Sequence, residues 1–386
     1  MNPDLSAPQV TLEVSQKGKP WLPIDRDRIM AAHFEEKHRG SSELTFDLDN
    51  SDGAMWYVEP LLVKGSSIKF SFGYPNKMRG PITFKNSGKP SGAHTLQVKA
   101  LVKSHRKGSD EWVRTRSWEN MAFTEVVEKV AAEMGFTSNE VDVDFDFEKH
   151  EFVSQRNETD LQFLYRLADI SDRIFWIDES GFHFKIPAAD TKPSVSFRMV
   201  TKPLNAGDII DYSLPKTPQR IPRKIKLLGR DPLKRTTVST TIDMEDKELP
   251  NLCDNPIVDD DAAVYVARTF SPTNAAAAAE ARRLMRETKL KAVKMELQIF
   301  GEPFARPGVV SLVRRLADPL NGKWYIWKAE HSIEGGDYET KLLLGREGFS
   351  KKKSRRSTKD QTDPIGELFT AVGRTWRSLT SVGGSK

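Results

Sequence analysis

The sequence is short of the residues that mark out several classes of protein. It has one cysteine, Cys253, in 386 residues, which excludes an intramolecular disulfide and any cysteine-rich zinc site. A nucleophilic role for Cys253 would need an activating neighbour, so the thiol reads as buried or incidental. No run approaches the roughly 20 apolar residues of a membrane-spanning helix. The start, MNPDLSAPQVTLEV, lacks the basic-then-apolar pattern of a signal peptide, and the protein is therefore expected to mature in the cytoplasm of its host. Hydrophobic residues at 38% and aromatics at 9% are low to ordinary for a globular chain. A strong charge of one sign is missing as well. Much of the net +5 sits in Lys351-Lys352-Lys353-Ser354-Arg355-Arg356, which leaves the body close to neutral. Nucleic-acid binders more often spread basic residues over a folded face with aromatics among them.

What is present is length and pattern. The chain is long enough for roughly two to four domains, each with its own core. Phe152 to Ile186 carries the most information. Asn157, Thr159 and Asp160 suit a helix N-terminus, and Leu161, Leu164, Tyr165 and Ala168, widened by Phe163 and Leu167, predict a helix with one buried face. Beyond it, Ile174 to Ile177 and the alternating Phe182, Phe184 and Ile186 flank the turn formers Glu179-Ser180-Gly181, which predicts a β-hairpin.

The chain before this segment reads in three parts. Residues 1 to about 40 look polar and irregular, with a strand near Val10 to Val14. Alternation in Leu44-Phe46-Leu48 and Ile68-Phe70-Phe72, glycine turns at Gly53 and Gly73, and further runs at Gly80–Phe84 and Leu96–Val102 predict an antiparallel barrel or sandwich. Trp118 to Gly135 reads as a helix on the face Phe123, Val126, Val127, Val130, Ala131 and Met134, with Gly135 as its C-terminal cap. Val141 to Glu148 alternates carboxylates with apolar residues, as a half-solvated strand does.

After Pro187 a second β-rich unit is expected. It has strands at Ile209–Leu214, Lys224–Gly229, Val293–Ile299, Val309–Val313, Trp324–Trp327 and Tyr338–Leu344, and a hairpin signal at Asn321-Gly322. Asp259-Asp260-Asp261 lacks the ligand spacing of a calcium loop and reads as the cap of a helix at Ala262. Asn274 is expected to cap an alanine-rich helix, Ala275 to about Lys289, suited to a lid or an oligomer contact. His331 stands alone, with no nucleophile pattern beside it, and reads as structural. At the end, Asp363-Pro364 opens an amphipathic helix with Leu368, Phe369, Val372, Trp376 and Leu379 on one side, which needs a partner surface.

Several of these stretches carry a resemblance. Gln155-Arg156-Asn157-Glu158-Thr159-Asp160-Leu161-Gln162-Phe163-Leu164-Tyr165-Arg166-Leu167-Ala168, followed by Ile174-Phe175-Trp176-Ile177-Asp178, resembles the late control protein D family of contractile-tailed phages and the hub part of the type VI secretion spike VgrG. The Gly65 to Ile82 run, the G-x-P-x-x-x-P-G from Gly301 and the Tyr338 to Leu344 strand resemble the same hubs, in family order. The resemblance implies an α+β, mainly β chain with two tube-like antiparallel β-barrel domains flanking a small α+β domain. The expected division is 1–116 for the first barrel, 117–187 for the α+β domain, 188–348 for the second barrel with an inserted helix, and 349–386 for a basic linker and terminal helix.

The function implied is a structural baseplate hub. Three copies would form a homotrimeric, pseudo-sixfold ring joining a hexameric tail tube to a trimeric central spike, located in the baseplate of a virion or injection particle and assembled in the host cytoplasm. Expected partners are other copies of the chain, the central spike protein, the tail tube or tube-initiator protein and inner baseplate proteins. No membrane is among them, and nucleic acid only in passage through the channel. The chain ends without a needle, so a separate spike is expected. No catalytic, cofactor or metal residues are expected and no cofactor. Partner binding is assigned to Leu368, Phe369, Val372, Trp376 and Leu379. The alternatives are a hub-associated peptidoglycan hydrolase, which needs a catalytic set on a cleft, and a basic nucleic-acid-binding protein.

Overall fold

A computed structural model of the chain describes residues 7–16, 19–38, 42–102, 112–144, 149–178, 180–187, 191–200, 206–230, 235–269 and 273–350. Leu368, Phe369, Val372, Trp376 and Leu379 lie outside the described residues, as do the basic run from Lys351, Phe145 to Glu148, and Glu179.

The first strands are β1 (Gln9–Ser15), β2 (Leu22–Pro23), β3 (Ile29–Lys37), β4 (Glu43–Asp49), β5 (Ser67–Tyr74), β6 (Lys77–Asn86) and β7 (Thr95–Val102). They pair in the order β2-β1-β5-β6-β7-β4-β3. Alternation by twos sends Leu44, Phe46 and Leu48 inward with Phe34, Phe70, Phe72 and Phe84. Phe34 meets Phe84 edge to face with centroids 5.5 Å apart. β3 overturns the expectation of an irregular start. Its pattern is hidden because the register shifts between Ile29 and Ala31, and because a carboxylate, Glu36, points inward beside Phe34 and Ala32.

Next come β8 (Arg114–Ala122), α1 (Phe123–Met134), β9 (Val141–Val143), β10 (Lys149–Glu158), α2 (Asp160–Ile170), β11 (Ile174–Asp178) and β12 (Gly181–Lys185). The helix expected from Trp118 begins only at Phe123. Residues 114–122 instead pair with β10, Ser117 opposite Ser154, and Glu125 caps the backbone N–H of Ala122 at 2.9 Å. Gly135 ends α1 with φ 95, and Thr159 caps α2 by accepting from Gln162 N at 3.3 Å. The two helices bury Val126, Val130, Phe163, Leu164 and Leu167 in one core with Phe175, Phe182 and Phe184.

The remaining elements are β13 (Val195–Met199), β14 (Asp208–Ser213), β15 (Ile221–Arg230), β16 (Thr237–Asp243), β17 (Asn255–Pro256), β18 (Val258–Arg268), α3 (Asn274–Lys291), β19 (Val293–Phe300), β20 (Val310–Arg314), β21 (Gly322–Glu334), β22 (Asp337–Arg346) and β23 (Gly348–Phe349). The ladder β14-β19-β22-β21-β20-β13 returns to β14 and closes a six-strand barrel. Val293, Met295, Leu297, Ile299, Ile326, Leu342 and Leu344 fill it. The chain is α+β and mainly β, as expected, with one closed ring and one open set among the described residues.

Three local expectations are corrected or refined here. The acidic triplet does not cap a helix: Val258–Arg268 is a strand parallel to β15, as the β-branched and aromatic run Val264-Tyr265-Val266 favours. The alanine-rich helix is not a free-standing lid, since Ala277, Ala281 and Met285 pack on the sheet of β15 and β16, and Thr273 rather than Asn274 is its cap. The hairpin at Asn321-Gly322 does form, β20 running antiparallel to β21 with Val313 opposite Gly322, but through a longer loop; the two-residue turn is at Gly335-Gly336, whose φ values of 59 and 90 glycine adopts readily.

The strand order of the open set, β1-β5-β6-β7-β4-β3, recurs in the closed one as β13-β20-β21-β22-β19-β14. The first strand differs in direction: β1 is antiparallel to β5, whereas β13 is parallel to β20. β3 and β21 join the sets directly, Ala31 to Lys37 running antiparallel to Glu334 to Lys328.

A continuous polar strand face as candidate functional site

Because β3 pairs with β21, the strands β7, β4, β3, β21, β22, β19 and β14 form one unbroken antiparallel ladder. One side of it covers the two cores. On the other side the alternate residues are Gln97 and Lys99 of β7; Glu43, Thr45 and Asp47 of β4; His33, Glu35 and Lys37 of β3; Lys328, Glu330, Ser332 and Glu334 of β21; Glu339 and Lys341 of β22; Lys294, Glu296 and Gln298 of β19; and Asp211 and Ser213 of β14. Large apolar side chains are few there, among them Leu101, Phe300 and Leu343. Carboxylates outnumber ammonium groups, so the face is weakly acidic although the whole chain is basic.

Cross-strand contacts stitch this surface together. Lys328 reaches Glu35 at 2.5 Å and also bonds Glu330, and Lys37 lies 3.3 Å from Glu35 and 3.8 Å from Glu43. Gln97 donates to Asp47 at 3.1 Å and Gln298 to Glu339 at 2.7 Å. Single exposed ion pairs contribute little, about 0–1 kcal/mol, but on adjacent strands they oppose any slip in register. The surface is concave where β14, β19, β21 and β22 meet, with a hollow of about 530 Å³ bounded by Asp211, Glu296, Gln298, Glu330 and Lys341.

Beneath the face a buried polar group fixes the joint between the two strand sets. Glu36 of β3 accepts two bonds of 2.8 Å from Arg79 of β6, and Arg79 also donates to the Pro303 carbonyl at 3.2 Å. His331 of β21 stacks on Phe34, bonds the Tyr338 hydroxyl at 2.9 Å and lies 3.8 Å from Glu36. Burial alone would raise the Glu36 carboxyl, yet the charge and the two bonds of Arg79, with the His331 ring nearby, hold it at about 2. Burial keeps the His331 ring below its ordinary value, so it is neutral near pH 7. His331 is thus structural, as its isolation in the sequence implied.

One cluster superficially resembles a hydrolase triad. Ser180 Oγ and Asp178 Oδ1 are each 3.0 Å from His183 Nε2. Both therefore compete for Nε2, while Asp142 Oδ2 lies 3.6 Å from Nδ1 and Asp142 is itself paired with Lys185 at 2.7 Å, so the close carboxylate–Nδ1 hydrogen bond of a working triad is not made. Ser180 also bonds Asp178 itself, which is saturated further by Trp176 at 3.0 Å and Arg306 at 2.6 Å. The set ties β11 to the loop carrying Arg306. Burial pushes the Cys253 thiol up to about 12, so it is not a thiolate at neutral pH. Among the described residues no group of three or more His, Cys, Asp or Glu is placed to hold a metal ion, and no helix is long and apolar enough to cross a membrane. The polar face itself is what the residue pattern alone did not reveal, because no local signal announces that β3 will pair with β21.

Neither a family model nor a curated protein matches the sequence. Solved structures do match the fold. A 43 kDa tail protein of prophage MuSo2 from Shewanella oneidensis has a TM-score of 0.60 at 15% identity, over 87% of this chain and 98% of that one. The tail protein from Neisseria meningitidis gives 0.58 at 12% identity, over 87% and 96%. An Escherichia coli component of the type VI secretion system, itself described as similar to the T4 tail proteins gp27 and gp5, gives 0.52 at 12% identity, over 89% and 80%. At these identities the likeness is one of fold, a fold shared with phage tail proteins and a type VI secretion component.

Proposed function

We propose that this chain is the baseplate hub of a contractile tail or injection system, with no catalytic step of its own. Three copies associate into a pseudo-sixfold ring that joins a hexameric tail tube to a trimeric central spike. The observation that carries the reading is the repeated strand order of the two sets together with their direct β3–β21 joint. Two look-alike units per chain become six units around an axis when the chain is copied threefold, which lets one face meet sixfold symmetry and the other threefold. The neighbours' tail-protein fold supports the same reading.

The polar ladder is our candidate for the wall of the central bore. A lumen wall must be wetted and must not hold what passes through it. Carboxylates in excess repel a phosphate backbone, so nucleic acid passes without adhering. The domains are then 1–116, 117–187, 188–348 and 349–386, the first boundary falling within β8. Leu368, Phe369, Val372, Trp376 and Leu379 form a contact with the central spike or a neighbouring baseplate protein, and the tube or its initiator sits on the opposite rim. The place of action is the baseplate of a virion or injection particle, reached by assembly in the host cytoplasm.

Light scattering coupled to size exclusion tests this, on the full chain alone and with candidate spike and tube-initiator proteins. The expected assembly holds three copies of the chain, alone or with the spike bound. A monomer under every one of these conditions would overturn the proposal.

A further inference from the structure

Among the described residues, the sheet of β16, β15 and β18 is covered on one side only. There α3 packs Ala277, Ala281 and Met285 over Ile225 and Leu227. The parallel register places Lys224 beside Val264, Lys226 beside Val266 and Leu228 beside Arg268, so these six side chains share the opposite face. Leu228, Val264 and Val266 are 37%, 46% and 54% exposed on it. β18 is also the last strand of its sheet: it pairs with β15 along one edge and with no described strand along the other. Tyr265, on the helix side of the same strand, is 55% exposed. Three consecutive large apolar residues on an open strand edge are what proteins ordinarily avoid, because such an edge templates further pairing.

We propose that β18 is a docking edge for a partner protein, which adds an extended segment of alternating acidic and apolar residues as the next strand of this sheet. Backbone bonds along β18 supply the pairing. The segment's apolar side chains pack beside Val264 and Val266, and its carboxylates come within reach of Arg268 and of Lys226 one strand further in. Charge decides the occupant. Lys224, Lys226, Arg230 and Arg268 outnumber the two carboxylates that the register places on this face among the described residues, Asp243 and, at its far end, Asp259, so the same face of a second copy, or this chain's basic run at Lys351 to Arg356, meets like charge. This surface lies outside the polar ladder, and the inference does not rest on the hub reading.

Hydrogen exchange of the full-length protein tests it, with an acetylated and amidated (Glu-Val)4 peptide as the probe and (Lys-Val)4 as its control. At ten times its Kd the acidic peptide should slow exchange across Val264 to Arg268 about tenfold, less so at high salt, while the basic peptide leaves it unchanged. Lys226→Glu with Arg268→Glu should reverse that preference, and Val264→Lys with Val266→Lys should abolish binding of the acidic peptide, with exchange in α3 unaltered in both variants as a check on folding. Equal protection by both peptides, no protection by millimolar acidic peptide, or a doubling of mass that these variants abolish would each overturn the proposal.

Discussion

Removing the Arg79 guanidinium is the sharpest perturbation of the joint between the strand sets. Its side chain is 1% exposed and that of Glu36 11%, so Arg79→Met leaves a buried carboxylate with only the His331 ring near it, at 3.8 Å. Breaking one side of a buried pair costs about 3–5 kcal/mol, which accelerates exchange of amides in the β3–β21 ladder by roughly a hundredfold or more. The pH dependence should change sign. In the parent, Glu36 is held at about 2, below its ordinary 4.5, so its stabilisation is complete above 4.5 and is lost as pH falls through about 2. In the variant, burial acts without Arg79 and raises the Glu36 carboxyl above its unfolded value. A proton taken up by Glu36 or His331 then stabilises the fold, and that stabilisation is lost as pH rises through the raised value. Arg79→Met should therefore be rescued by mild acid that does not help the parent, and adding Glu36→Met should restore most of the loss at neutral pH. The assay is exchange mass spectrometry of Ala31 to Lys37 and Lys328 to Glu334 from mildly acidic to neutral pH. A variant that exchanges like the parent, or one indifferent to pH, would refute the reasoning.

Other expected outcomes are more local. Gly345→Ala drives a Cβ to 2.0 Å from the Leu290 carbonyl and 2.5 Å from Trp327 Nε1; it should destabilise the closed barrel by about 1–3 kcal/mol, read as a lower midpoint of its thermal transition. Thr273→Ala removes the cap on Ala276 N and should cost α3 about 1 kcal/mol, measurable as faster exchange in its first turn. A zymogram on peptidoglycan should show no clearing by the full chain, and clearing that Ser180→Ala abolishes would reinstate the hydrolase reading. Deletion beyond Ser350 should weaken spike binding and keep the trimer; the cut belongs there because Gly348–Phe349 pairs with Asn255–Pro256 and Ser350 N bonds the Pro319 carbonyl. Unchanged spike binding in a pull-down would count against the assigned contact residues.

Local pattern made some of this fold readable. β4, β5 and β19 follow strict alternation, and α2 carries its cap and its apolar stripe within one stretch. What escaped were strands whose logic is distant. β8 looks like a polar prelude to α1 until Arg116 is seen to bond Asp160 at 2.8 Å and Gln155 at 2.6 Å. β3 makes sense only once Glu36 meets Arg79 on another strand, and β18 only once it lies beside β15. The polar face is harder still. Each of its strands alternates as any half-solvated strand would, and the continuity between the sets comes from pairing Ala31 with Glu334, a contact that no short-range rule anticipates.

Two-dimensional averages of the purified assembly, viewed down its axis by electron microscopy, test the central claim most directly. The account predicts six lobes of two alternating kinds around an open centre, with threefold symmetry when the lobes are told apart. A solid disc without a bore, or an even-numbered assembly of chains with twofold symmetry, would contradict it.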